Sequence, residues 1–392
     1  MEAGVDIAQV QRVKVSAPTT KAPRFGGFFD VGLFVIPALI SPLLLFRYLI
    51  GTFHEHPFTM DGHYYPDGGF LFDFHVMWNA GHAIVLGHSP YPFVYPAPAA
   101  LLMVPFGALP WKVAVVLFAL GLYASAFFTL RVLGVRDWRC YGAALGSLPG
   151  VTAVTAGTLS WPLALGAALA WRYRNRRWVV AAAIVGVIVT KLFLWPLVIW
   201  LIATRRFRTT LTTAVVGIIV VFGSWAVIGF DGMLEYPRRL GGIASVEQEK
   251  GWTIFPLMRS LGVSAGTAHL VLLFLTLAAI AGIILIARGA DGDRRAFAAA
   301  IGAALLLAPI VWPHYFVVLF VVLALYRRSL SAAWIVPLLY WVLPYWVFHG
   351  SRGHAWSILI AFAITLLVAL AAWRAKTDTA ARSSGVANPV SV

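Results

Sequence analysis

The chain has 392 residues, of which 60% are hydrophobic and 11% charged, with a mean hydropathy of +0.83. Soluble domains run near 45–50% apolar and about 25% charged, so a soluble fold is excluded. Repeated apolar runs of about 17–25 residues read as membrane helices, and sixteen tryptophans with thirteen tyrosines suit a protein with many interfacial belts.

The formal charge of +15 resembles that of a nucleic-acid binder, but such a protein needs a soluble basic domain and none is present. The arginines instead cluster between apolar runs: Arg172, Arg174, Arg176 and Arg177; Arg205, Arg206 and Arg208; Arg294 and Arg295; Arg327 and Arg328. That is the positive-inside pattern of cytoplasmic loops. One cysteine, Cys140, excludes an internal disulfide and a cysteine-based metal site.

In chain order, residues 1–30 are polar, carry Arg12, Lys14, Lys21 and Arg24, and lack the apolar core and cleavage site of a signal peptide. They read as a disordered cytoplasmic tail. The membrane domain covers 31–373, with its first span at about 31–50. From Tyr48 to Trp111 there is no lysine or arginine, while Glu55, Asp61, Asp67, Asp73 and six of the ten histidines fall there. The loop 51–97 therefore faces away from the cytoplasm.

Within it, a helix is expected over 74–87. Phe74, Met77, Trp78, Gly81, Ile84 and Val85 form one helical stripe, His75, Asn79 and His82 lie on another side, and Gly87 is a stop signal. The pattern predicts an amphipathic helix in the outer interface, apolar side down.

Apolar runs follow at about 98–133, 141–171, 179–203, 211–229, 265–287, 297–326, 331–347 and 354–373. Pro162, Pro196 and Pro313 interrupt three of them, and proline disrupts the helical ladder. If the arginine clusters share one side, 141–171, 179–203 and 297–326 must each be a hairpin. The expected tips are Thr158–Trp161, Lys191 and Trp312–His314. Residues 98–133 read as one bent span or two short ones, divided by Pro105 and Pro110. The expectation is an all-α polytopic membrane protein with about 11–13 spans and both termini inside. Residues 374–392 form a second basic tail.

Asp73 has two readings. As a helix N-cap it accepts backbone N–H bonds and complements the dipole. As a general base it takes a proton from a sugar hydroxyl attacking an anomeric carbon. His54, His56, His63, His75, His82 and His88 lack the convergent spacing of a zinc site, so no metal is expected. Lys191 sits inside an apolar hairpin, where a cation is functional by default unless it snorkels to the cytoplasmic surface. His314 lies at a break between apolar halves, a place for ligands or for a satisfied interface residue. Arg238, Arg239, Arg259 and Arg352 are isolated outer cations, either phosphate partners or headgroup contacts.

The run DFHVMWNAGHAIVLGHSPY at 73–91, YPAPAALLMVPFGALP at 95–110, TKLFLWP at 190–196 with the following RRFR, and WPHY at 312–315 together resemble glycosyltransferase family 87. Its members include a phosphatidylinositol-mannoside α-1,2-mannosyltransferase and an arabinofuranosyltransferase. Two departures stand out: Gly157-Thr158 where the family often has Gly-Gln, and VEQEKGWTIFPLMRSL without the family's Gln-Ser. They bear on the sugars, not on the class.

The resemblance implies a GT-C-type fold in a bacterial inner membrane and transfer on its outer face. The donor is a polyprenyl-phosphate sugar, mannose before arabinofuranose, and the acceptor a glycolipid or envelope glycan, among membrane lipids and without a cofactor. It makes Asp73 the catalytic base and His314, Arg259 and Lys191 contacts to the leaving phosphate, and the polar side of the 74–87 helix adds His75, Asn79 and His82 as expected substrate contacts. The alternatives are a lipid-linked-sugar flippase, whose polar residues would line a path through the spans, and a structural scaffold, which leaves Asp73 and His314 unexplained.

Overall fold

Hydrocarbon offers no partners for backbone N–H and C=O groups, so apolar runs must satisfy them internally as helices. In the computed structural model, residues 27–52, 58–60, 63–65, 69–343 and 354–369 are described. Residues 1–26 of the first expected tail, the whole second tail, His54, His56 and Arg352 lie outside them, while Gly27–Asp30, expected in the first tail, already belong to a helix. The described chain is helical apart from a small antiparallel pair, β1 (Phe58–Met60) and β2 (His63–Tyr65).

Four described helices are long and apolar enough to cross a membrane alone: α1 (Gly27–Leu49), α4 (Trp111–Val132), α10 (Phe207–Val227) and α13 (Ala265–Ala287). At 21–23 residues each is about 30–35 Å long, the thickness of the hydrocarbon core. The other apolar runs are shorter. α2 (Phe72–Val85) and α3 (Ala97–Gly107) lie in the segment after α1. Residues 98–133 thus divide at Pro110, which immediately precedes α4.

α11 (Tyr236–Glu247) and α12 (Ile254–Ser260) join α10 to α13, and several other short helices reverse direction in pairs. α5 (Trp138–Gly146) precedes α6 (Leu148–Thr155), and α7 (Ser160–Arg172) turns back from α6 at 117°. α8 (Arg177–Thr190) is followed by α9 (Leu192–Ala203). Arg174, just before α8, and Arg206, just after α9, both reach Asp293, at 3.1 and 2.7 Å, so that hairpin begins and ends on one side. α14 (Gly292–Leu307) and α15 (Pro313–Tyr326) behave alike: Arg294, at the start of one, lies 4.7 Å over the Tyr326 ring at the end of the other.

The bundle therefore has two chemically distinct ends. At the arginine end, Arg139 meets Asp30 at 3.7 Å and Leu330 N–H donates to Asp137 at 3.1 Å. At the opposite end, Trp111 Nε1 donates to the Tyr48 hydroxyl at 2.7 Å, and Trp252 N–H to the Val311 carbonyl at 2.7 Å. The expected hairpin tips all fall at this second end. Pro313 opens the first turn of α15, Pro196 opens the α-helical part of α9 after its 3₁₀ turn at Leu192–Leu194, and Pro162 lies close behind Ser160. There a missing N–H costs nothing, because no helical partner exists for it.

Candidate active site

Asp73 is placed by the α6–α7 turn. Leu71 N–H donates to the Thr155 carbonyl at 2.7 Å and Asp73 N–H to the Ala156 carbonyl at 3.0 Å. The turn comes this close because Gly157 has φ +69 and no side chain; a Cβ there would sit 2.6 Å from the Phe74 Cβ. Buried Leu71 precedes α2 with φ 55 and ψ 24, a left-handed conformation that a branched residue rarely adopts. Such strain needs surrounding structure to hold it, and here the Thr155 carbonyl does so.

This corrects the capping reading of Asp73. The helix opens at Phe72, its cap position is Leu71, and no side chain caps it. Turn carbonyls already occupy the Leu71 and Asp73 N–H groups, so the carboxylate is spared that work. It lies in the first turn of α2, partly accessible. Burial pushes its pKa above the ordinary carboxylate value, opposed by the charge of Lys191.

Lys191 is the residue between α8 and α9, with an extended backbone that ends one helix before the next begins. It is 9% exposed. Its ammonium lies 4.1 Å from the Tyr315 ring centroid and 5.7 Å from that of Tyr95, and both tyrosines interact with it through their hydroxyls. Snorkelling to the arginine end is thereby ruled out for Lys191. His314, next to Tyr315, is 7% exposed and feels the Lys191 charge. Its Nε2 has no hydrogen-bond partner among the described residues. Asp73, Lys191, His314, Tyr95 and Tyr315 thus converge from the segments of α2, α3, α8 and α15.

The other expected site residues are placed differently. His82 Nδ1 contacts the Gly107 carbonyl at 2.7 Å, and Trp78 Nε1 donates to the Phe106 carbonyl at 2.9 Å; a carbonyl only accepts, so the His82 Nδ1 carries the proton. Both side chains satisfy the C-terminal end of α3. His75 lies against Trp111, ring centroids 4.6 Å apart, and Asn79 is half-buried on α2. Arg259 Nε donates to Glu249 at 3.0 Å and its Nη1 to the Val263 carbonyl at 2.8 Å, which fastens the loop before α13. Among the described residues no three His, Cys, Asp or Glu side chains gather as a metal site.

The apolar stripe of α2 is also corrected. Phe74, Met77 and Gly81 are buried against protein rather than laid on lipid. Phe74 stacks on Phe118 at 4.0 Å and on Trp111 at 5.3 Å. Gly81 and Gly107 let α2 and α3 touch backbone to backbone, since a Cβ on either would strike the Met103 carbonyl or the His82 amide.

Tyr95 and Tyr315 escaped the sequence reading, although both stand inside its quoted motifs, YPAP and WPHY. The signal was there; tyrosine's frequency at membrane interfaces masked it.

A helical membrane protein with an acid, a lysine, a histidine and two tyrosines recessed at one end of its bundle has the parts of a group-transfer enzyme working beside lipid. The model described as "Glycosyltransferase family 87" matches residues 93–313, and the chain belongs to that family: it is a glycosyltransferase. Tyr95 and Lys191 fall inside the matched residues, while Asp73, His314 and Tyr315 fall outside. A relative from Mycolicibacterium smegmatis (strain ATCC 700084 / mc(2)155) is named polyprenol-phosphate-mannose-dependent alpha-(1-2)-phosphatidylinositol pentamannoside mannosyltransferase. It is 26% identical over 296 residues, 71% of this chain and 67% of the relative. A relative of the same name from Mycobacterium tuberculosis (strain CDC 1551 / Oshkosh) is 26% identical over 344 residues, 81% of this chain and 70% of its own. No solved structure matches the chain.

Proposed function

We propose that this glycosyltransferase moves mannose from polyprenyl-phosphate mannose to a hydroxyl of a mannosylated phosphatidylinositol or similar glycolipid. The names of the relatives support the donor and the acceptor class. The observation that carries the chemistry is the placement of Asp73 within the field of the buried Lys191 ammonium, which Tyr95 and Tyr315 flank, at one end of the bundle.

The steps balance with these two groups. Asp73, ionised, accepts the proton of the acceptor hydroxyl while that oxygen forms a bond to the anomeric carbon. The bond from that carbon to the donor phosphate oxygen breaks, and polyprenyl phosphate leaves with the electron pair. Lys191 stabilises the charge developing on the leaving phosphate, and His314 Nε2, without a hydrogen-bond partner among the described residues, offers a further contact. One base suffices, because no water has to be activated as in glycoside hydrolysis.

The arginine clusters at the other end support a cytoplasmic placement there, and with it an outer-face position for Asp73 and a donor lipid tail between helices. Purified protein supplied with radiolabelled polyprenyl-phosphate mannose and a mannosylated phosphatidylinositol should form a longer glycolipid. Labelled donor crossing proteoliposomes without product would instead indicate a flippase.

A further inference from the structure

The arginine end holds a cavity of about 570 Å³, lined by Arg174, Arg205, Arg206 and Arg208 together with Phe207. Two of these guanidiniums are fixed. Arg206 bonds both Asp293 oxygens through Nη1 and Nη2, at 2.7 and 2.8 Å, and Arg174 Nε bonds the same carboxylate at 3.1 Å. Trp200 Nε1 holds Asp293 from another side at 2.8 Å. Arg205, in a left-handed conformation with φ 58, and Arg208 are exposed and make no ion pair among the described residues. One carboxylate facing four guanidiniums leaves a concave, net cationic surface.

Positive-inside sorting explains why arginines occur at this end. It does not explain their gathering around one cavity with two of them oriented by a shared aspartate. Planar guanidiniums held in place match phosphate oxygens in geometry and charge. Phe207 is 61% exposed at the cavity edge, and Trp178, near the start of the adjacent α8, is also 61% exposed. Exposed aromatics of this kind sit at headgroup depth.

We propose that this basin binds a phosphate ester, supplied by the headgroup of an anionic membrane lipid in the leaflet opposite the Asp73 site. The site is separate from the transfer chemistry, and its occupant stabilises the bundle where the hairpins α8–α9 and α14–α15 meet.

The test measures the thermal midpoint of the purified full chain in neutral detergent. Phosphatidylglycerol is titrated into the micelles in one arm and inorganic pyrophosphate into the buffer in the other. The variants are R205A/R208A, which removes the two exposed basin arginines, and R172A/R288A, which removes the same charge outside it. The expected result is a saturable lipid-dependent stabilisation whose half-effect concentration rises about 10–30-fold in R205A/R208A and is unchanged in R172A/R288A. A pyrophosphate response lost only in R205A/R208A also upholds the phosphate site, with a soluble occupant. The proposal is overturned if neither ligand stabilises the protein, if R205A/R208A responds as wild type, or if both variants lose the response equally.

Discussion

At the scale of single residues, Asp73 and Lys191 are poised against each other. Burial of the carboxyl favours its neutral form and Lys191 favours its ionised form, with burial the larger cause. A carboxylate whose folded pKa is raised contributes stability that is complete below its unfolded pKa and lost as pH rises through the folded value. In the ionised form that the proposed base role needs, Asp73 therefore costs stability. Asp73→Asn, permanently neutral, should melt at or above wild type at pH 7. Scans across mildly acidic pH should show wild type losing stability as pH rises and the variant lacking that component. For the same reason the acidic limb of the transfer rate should lie above the ordinary aspartate range. Lys191→Met should lower turnover about 10²–10³-fold, the usual effect of removing one stabiliser of developing charge, as read by initial rates at saturating donor.

At the scale of elements, the α2–α3 pair decides whether the site forms. Its apolar stripe was legible in the sequence, because Phe74, Met77 and Gly81 recur at helical spacing. What they pack against was not legible: periodicity reports that a face is buried, and lipid and protein interiors present it with much the same surface. The same limit applies to His82. Its polarity singled it out, yet it closes the C-terminal end of α3 through the Gly107 carbonyl. The capping reading of Asp73 failed for a related reason, since the carbonyls that replace a cap come from a turn over 80 residues away in sequence. Gly81→Val would force a side chain into the Met103 backbone. It should destabilise by about 1–3 kcal/mol and reduce transfer in parallel with the folded fraction, measured by thermal melts and activity on the same samples.

At the scale of the whole molecule, the arginine clusters gave the returning hairpins in advance, because charge sorting fixes which ends share a side. The knot that ties them was hidden. Asp293 is one acid among several in the sequence, and only folding brings Arg174, Arg206 and Trp200 to it. Tyr95 and Tyr315 are comparable cases at the opposite end, ordinary in sequence until Lys191 is placed between them. Asp293→Ala leaves two half-buried guanidiniums without their shared partner. It should lower stability by about 2 kcal/mol, given charged hydrogen bonds that are partly screened by water, with the loss greatest at low salt in a melting series.

The central claim is that Asp73 takes the acceptor's proton. It is tested most directly by comparing wild type and Asp73→Asn for transfer from radiolabelled polyprenyl-phosphate mannose to a mannosylated phosphatidylinositol, with folding checked on the same preparations. A folded variant with turnover reduced about 10²–10⁴-fold is the predicted result; a folded variant that turns over at the wild-type rate would contradict it.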